Sequence, residues 1–325
     1  MPRIHATIHP SSTKERFTKD PAATGALRVT LGAVLISFSA VFVKLAHVSP
    51  TVSGVYRTLI GGAVLFVILA IRREPIWKGG FFFLVAVVLG FIFALDIFFW
   101  HLSIHYVGPG LATILANFQV FLLALYGVVV LGERMSVRTM MAIPMAFLGL
   151  FLLAGIHWHQ LGVVYRWGVL IGLAAAVCYA AYLLVLRKLQ SMPDTPSPMA
   201  NLAVISLVSG LLLGIVAWQR NESFMIPDLQ SLLSLGAYGL LSQVCGWLLI
   251  TSGLPYVRSS LIGLLILLQP SLSFSWDILF FNRQTDFFGV IGVAISLAAI
   301  YLGTTVSKTK RKAVDNPPAD GPHFS

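Results

Sequence analysis

The chain has 325 residues, of which 57% are apolar and only 10% charged, against roughly 25% charged in an ordinary soluble domain. This composition excludes a soluble globular fold. Apolar runs of about 20 residues match the thickness of a hydrocarbon core and exclude the shorter, alternating strands of a membrane β-barrel. The net charge of +10 does not point to nucleic acid, because the basic residues lie in tails and short loops, where they orient a membrane protein.

In chain order, residues 1–26 are polar and mixed in charge, and predict a flexible cytoplasmic tail. Ten helical spans follow at about 27–47, 51–71, 81–103, 108–131, 137–155, 167–189, 199–218, 230–252, 259–281 and 286–306. Pro50, Pro198, Pro227 and Pro255 stand at span starts and turns, where proline costs little. Residues 307–325 open on the cluster Lys308–Lys312 and predict a basic, disordered cytoplasmic tail. With both ends inside, 17 of the 22 Lys and Arg fall on the cytoplasmic side, three fall outside, and Lys44 and Arg57 stay within spans. Cys178 and Cys245 lie in apolar runs without a companion motif and predict packing residues.

Polar groups inside spans demand a reason, because a charge at the bilayer centre costs at least roughly 2.5–3.5 kcal/mol. Arg57, about 10 Å below the outer face by helical rise, reaches nearly the depth of Asp96. The two can pair, either as a packing bridge or as a substrate site with Arg57 as an anion clamp and Asp96 as a cation or proton group. Trp100 shares a face with Asp96, whereas His101 is displaced from it and His105 reads as interfacial. Asn117, Gln119, Gln243 and Gln269 come closest to the midplane, where amides can bind a zwitterionic or heterocyclic solute or tie helices together. Tyr179, Tyr182 and Trp247 are candidate aromatic walls. Pro144 and Pro270 interrupt spans and are hinge candidates. Ser271, Ser273 and Ser275 are spread around one helix, and Asp277 and Lys44 lie near span ends where they can reach water.

Shifting the chain by 150 residues aligns Tyr106-Val107 with Tyr256-Val257, Leu111 with Leu261, Leu115 with Leu265, Gln119 with Gln269 and Leu122 with Leu272. Five spans per half is an odd number, so the repeat is inverted, an architecture frequent in secondary transporters.

On these residues the chain resembles the EamA-like branch of the drug/metabolite transporter superfamily. The likeness rests on Ser49-Pro50 with Arg57, Ala94-Leu95, Leu131-Gly132-Glu133-Arg134 and Gly149 in the first half. In the second half it rests on Ala175–Tyr182, Arg187-Lys188, Gln269-Pro270 and Gly289–Gly292. The chain departs from the family after the ninth span, where Phe281-Asn282-Arg283-Gln284 replaces a second Gly-Glu ending.

The fold expected is thus an all-α polytopic membrane protein, ten transmembrane helices as two inverted five-helix repeats. A first EamA-like half covers 27–155 and a second covers 156–306. The resemblance implies alternating access and transport of a small-molecule metabolite, such as an amino acid or related amine, by a protein of the bacterial inner membrane. Export leads; uptake or exchange of a larger nucleoside-like metabolite and a non-transporting membrane scaffold are the alternatives. Protons are a conceivable coupling partner. No zinc motif, nucleophile elbow or nucleotide-binding loop is present, so neither enzyme chemistry, nor a metal, nor a cofactor is expected.

Overall fold

The structure, a computed structural model, describes residues 20–154, 163–282 and 287–304. The tails expected at 1–19 and 307–325, and the basic cluster at 308–312, lie outside the described residues. The described residues form helices joined by short turns: α1 (Pro21–Ser37), α2 (Ser39–Leu45), α3 (Pro50–Arg72), α4 (Gly80–Ala116), α5 (Gln119–Val129), α6 (Val137–Ala154) and α7 (Val163–Gln190). Next come α8 (Pro198–Gln219), α9 (Leu229–Ala237), a π-helix (Tyr238–Gly246) and α10 (Trp247–Gly253). The series ends with α11 (Ser259–Ile266), α12 (Leu268–Phe281) and α13 (Phe287–Thr304). Among the described residues, seven helical segments are long and apolar enough to cross a membrane, and three shorter apolar helices accompany them. Large apolar side chains such as Val67, Ile71, Leu211 and Trp218 face outward, as a surface in lipid requires.

Helix starts follow local chemistry. Asp20, Ser49, Ser197 and Asp228 each cap a helix with a side-chain oxygen, and proline occupies the first turn after the first three. The Asp20–Pro21 start places α1 six residues ahead of the expected span, so residues 21–26 belong to a helix and not to a tail. The expected turn near 104–107 is less plain, since helical hydrogen bonding runs from Gly80 to Ala116. Yet a Cβ placed on Gly172 would lie 2.8 Å from both Ser103 Oγ and Leu115 Cβ. Those atoms are therefore within about 6 Å of each other, whereas twelve residues of straight helix span about 18 Å. The chain doubles back between Ser103 and Leu115.

Elements recur along the chain at an offset near 150 residues. Helix α6 covers 137–154 and α13 covers 287–304; α3 covers 50–72 and α8 covers 198–219. Pairing follows the same order: α6 packs on α13, α3 on α8, α5 on α11, while α1 packs on the π-helix and α10 as α7 packs on α4. The breaks recur too. Helicity is interrupted at Asn117–Phe118 before Gln119 and at Leu267 before Gln269.

The α3/α8 pair is clasped at both ends. Ser49 Oγ donates to the Glu222 carboxylate at one end, and Ser197 Oγ donates to Glu74 Oε2 at 3.0 Å at the other. Beside the first clasp, the Asp228 carboxylate accepts the Ser231 amide at 2.7 Å and bonds His47 Nδ1 at 2.6 Å. The His47 bond and then the Ser231 amide hold the Asp228 carboxyl at about 2, below the ordinary value near 3.9. A carboxyl depressed by folding stabilises above its unfolded pKa and loses that contribution as pH falls through the folded one. The Asp228 contribution is thus expected to be full above about pH 4 and to fade toward about pH 2. Thermal unfolding across this window should show a slope that Asp228→Asn flattens; an unchanged slope would assign the acid sensitivity to other groups.

Candidate functional site

Arg57 lies on α3 eight residues after the Ser49 cap and is buried to 9% exposure. It has two polar anchors. Nε donates to Gln243 Oε1 at 2.8 Å, and Nη1 donates to Tyr238 Oη at 3.1 Å. Gln243 is itself held, its Nε2 donating to Ser206 Oγ of α8 at 2.9 Å. Tyr238 and Gln243 are five residues apart, which in an α-helix would set them about 140° apart around the axis. Both lie in the π-helix, whose i→i+5 hydrogen bonding stacks residues five apart on nearly one face. The π-helix is thus what lets one element grip the guanidinium twice. The charge also lies over two rings, 5.0 Å from the Tyr238 centroid and 5.8 Å from that of Phe93, a geometry that stabilises a desolvated cation.

Phe93 begins an aromatic wall. It stacks on Tyr182 at 4.9 Å and meets Trp247 edge-on at 5.4 Å; Tyr182 meets Trp247 at 5.1 Å, and Tyr179 meets it at 6.4 Å. Tyr182 Oη and Trp247 Nε1 are buried with no hydrogen-bond partner among the described residues. Buried polar atoms are ordinarily paired, so such atoms grouped on one wall mark a place built to meet something polar. Gln269 on α12 lies beside the Tyr179 hydroxyl, and its Nε2 is likewise unpaired. Asp96 on α4 is half-buried, within electrostatic reach of Arg57, Tyr179 and Tyr182.

The structure therefore gathers Arg57, Asp96, Tyr179, Tyr182, Gln243, Trp247 and Gln269 around one place. The expected Arg57–Asp96 ion pair is not formed within 4.0 Å among the described residues. Two edges of the guanidinium are taken by Gln243 and Tyr238, which leaves the carboxylate at longer range. Other candidates lie apart. Asn117 spends its amide on its own helix, donating to Thr113 O at 2.8 Å across the α4/α5 break. Gln119 is fully buried with both amide atoms unpaired, on an element that packs on α11 and α7. Trp100 packs on His101, whose Nδ1 is unpaired, and stays outside the aromatic wall. Pro144 lies within α6 with its ring exposed, and Pro270 falls in the first turn of α12, just past the break at Leu267. The break is thus one turn earlier than a mid-helix kink at Pro270.

Ser271 and Ser275 bond carbonyls of their own segment, whereas Ser273 donates to Ser37 O at 2.7 Å. Lys44 lies 4.6 Å over the Phe281 ring, and the Asp277 side chain is outside what the structure describes. Cys245 is exposed on the π-helix and Cys178 half-buried, so the packing role expected of Cys245 does not hold. Sequence reasoning missed Phe93, Ser206 and Tyr238. Phe93 had a signal, since it lies three residues before Asp96 and shares its face. Tyr238 had none, because helical periodicity sets it on another side from Gln243.

Known proteins resemble this chain over most of its length. The EamA-like transporter family model matches residues 23–155 and again 166–305. Among relatives, the uncharacterized transporter YvbV of Bacillus subtilis (strain 168) is 25% identical over 281 residues, covering 83% of this chain and 87% of YvbV. The uncharacterized transporter YwfM of the same organism is 25% identical over 272 residues, covering 82% and 88%. A solved crystal structure superposes with a TM-score of 0.74 at 19% identity, over 86% of this chain and 97% of the other, a likeness of fold alone. With the family model matching both halves across most of its length, this chain belongs to the EamA-like transporter family.

Proposed function

We propose that the protein is a secondary transporter that exports a small polar metabolite, an amino acid or related amine, by alternating access. In this reading ten transmembrane helices form two inverted five-helix halves, 27–155 and 156–306, in a bacterial inner membrane with both termini cytoplasmic. The recurrence of elements, breaks and pairings near 150 residues supports the repeat. The observation that carries the function is a buried guanidinium with a carboxylate in electrostatic reach, walled by rings that carry buried, unpaired polar atoms. Such a place suits a solute with a charged group and an apolar body. Arg57 receives a carboxylate, Asp96 receives an amine or a proton, and Gln269 and the Trp247 indole supply neutral hydrogen bonds. The stacked wall of Phe93, Tyr182 and Trp247 favours one second reading, a flat nucleoside-like heterocycle.

A thermal-shift and proteoliposome counterflow screen against amino acids, polyamines and nucleosides tests both. Ligand binding to the folded state raises its stability in proportion to concentration over affinity. The expected outcome is a hit in one class that is lost in Asp96→Asn and in Gln269→Ala. Arg57→Lys is expected to raise the apparent substrate constant severalfold, since lysine cannot keep the forked geometry. Stabilisation by no class, with no counterflow, would count against the transport reading and favour a scaffold.

A further inference from the structure

The strongest polar assembly outside the site lies where α5, α7 and α11 end together. Glu133 follows α5. Its Oε1 accepts the Ser259 amide at 2.8 Å, and its Oε2 accepts the Ser260 amide at 3.3 Å and the Ser260 hydroxyl at 3.1 Å. A carboxylate so placed caps the first turn of α11 and opposes its positive end. Arg187, near the end of α7, donates to Ser259 Oγ at 2.8 Å and stands 4.0 Å from the same carboxylate. Arg258 donates to Arg134 O at 3.2 Å and ties the neighbouring turn.

The backbone is shaped for this contact. Gly132 has φ +63°, the left-handed turn that aims Glu133 back over α5, and the Glu133 amide donates to Gly127 O at 2.8 Å. A Cβ on Gly127 would lie 2.5 Å from Glu133 Oε2, so only glycine leaves room for the carboxylate. Inward of the clasp, α5 and α11 meet through Val120, Leu123, Ile262 and Leu264, all essentially fully buried. That seam leads toward Gln119.

Helix α12, which continues the chain after α11, joins the α1–α2 turn by neutral contacts. Ser273 Oγ donates to Ser37 O at 2.7 Å, Trp276 Nε1 donates to Ser37 Oγ at 2.8 Å, and Phe38 stacks on Trp276 at 4.5 Å. After α12 the chain carries Phe281-Asn282-Arg283 where Leu131-Gly132-Glu133 follows α5, so the matching position has no carboxylate. Among the described residues the carboxylate clasp at α11 thus has no counterpart in these α12 contacts.

We infer that Glu133 is a one-sided gate latch: its carboxylate, gripping the first turn of α11, closes the mouth at the α5/α7/α11 end. The inference rests on the transport reading. Opening that mouth separates α5 from α11, which breaks three hydrogen bonds to one carboxylate and exposes the seam beside Gln119.

The test uses the full chain with Cys178 and Cys245 replaced by serine and a reporter Gln119→Cys. Labelling by a membrane-impermeant thiol reagent is timed in inside-out and right-side-out vesicles. Glu133→Gln is expected to speed labelling about tenfold from one face only, as the population open to that face grows. Gly127→Ala, which displaces the carboxylate without removing it, should act in the same direction and serves where Glu133→Gln folds poorly. Glu133→Asp should restore part of the slow rate. Labelling that proceeds at the same rate in all variants, or that rises equally from both faces, overturns the latch and leaves the transport reading standing. A reporter reached from neither face in any variant also overturns the latch, while the transport reading stands or falls with the counterflow screen.

Discussion

Gln243→Leu is expected to destabilise the protein by about 3 kcal/mol and to abolish transport, because a buried cation loses its acceptor. Arg57 Nε has Gln243 Oε1 at 2.8 Å as its acceptor, and Ser206 Oγ loses its donor at the same stroke. Ser206→Ala removes only the outer link and should cost about 1 kcal/mol. Gln243→Glu separates structure from function. It keeps an acceptor beside Nε but neutralises the guanidinium, so the folded state should persist while any solute needing the Arg57 charge is lost. Thermal unfolding in detergent and counterflow with the screened solute measure the two effects. A stable Gln243→Leu protein with unimpaired flux would show that the π-helix grip on Arg57 contributes neither to fold nor to transport.

Gly149→Leu is expected to be as severe for a different reason. At this position α6 and α13 approach backbone to backbone. A Cβ on Gly149 would lie 2.6 Å from Gly292 O and 2.6 Å from the Ser296 amide nitrogen, and would clash with Ser296 Oγ. The Ser296 hydroxyl bonds Ala146 O at 3.2 Å across the same seam. Even alanine must push the helices apart, at about 1–3 kcal/mol for overpacking, and leucine more. In a membrane, close approach of small residues replaces the hydrophobic drive that water would supply, so lost contact is not recovered elsewhere. Gly236→Ala is the control, since nothing lies within 4 Å of its Cβ, and it should be neutral or slightly stabilising. Size-exclusion profiles and unfolding temperatures compare them; equal behaviour of Gly149→Leu and Gly236→Ala would show that the α6/α13 seam tolerates separation.

Hydropathy alone read the chain as a series of apolar helices, because each length of chain that crosses hydrocarbon must be apolar and must satisfy its own backbone. The helix starts at Pro50 and Pro198 were equally legible, since they are local. The candidate site was half legible. Arg57, Asp96, Gln243 and Trp247 stood out by type in an apolar setting, where any polar group is costly.

What the sequence by itself determined is the class, the apolar helical character, the proline-led starts at Pro50 and Pro198 and the polar residues that need a reason. What only tertiary structure decided is which of those residues meet. Helical periodicity cannot anticipate a π-helix, so the double grip of Tyr238 and Gln243 on Arg57 was invisible. Spacing along one chain cannot show that Glu133 reaches Ser259 and Ser260, more than a hundred residues away. The physical reason is the same in both cases: local sequence sets what each helix can present, and only packing sets what it presents it to.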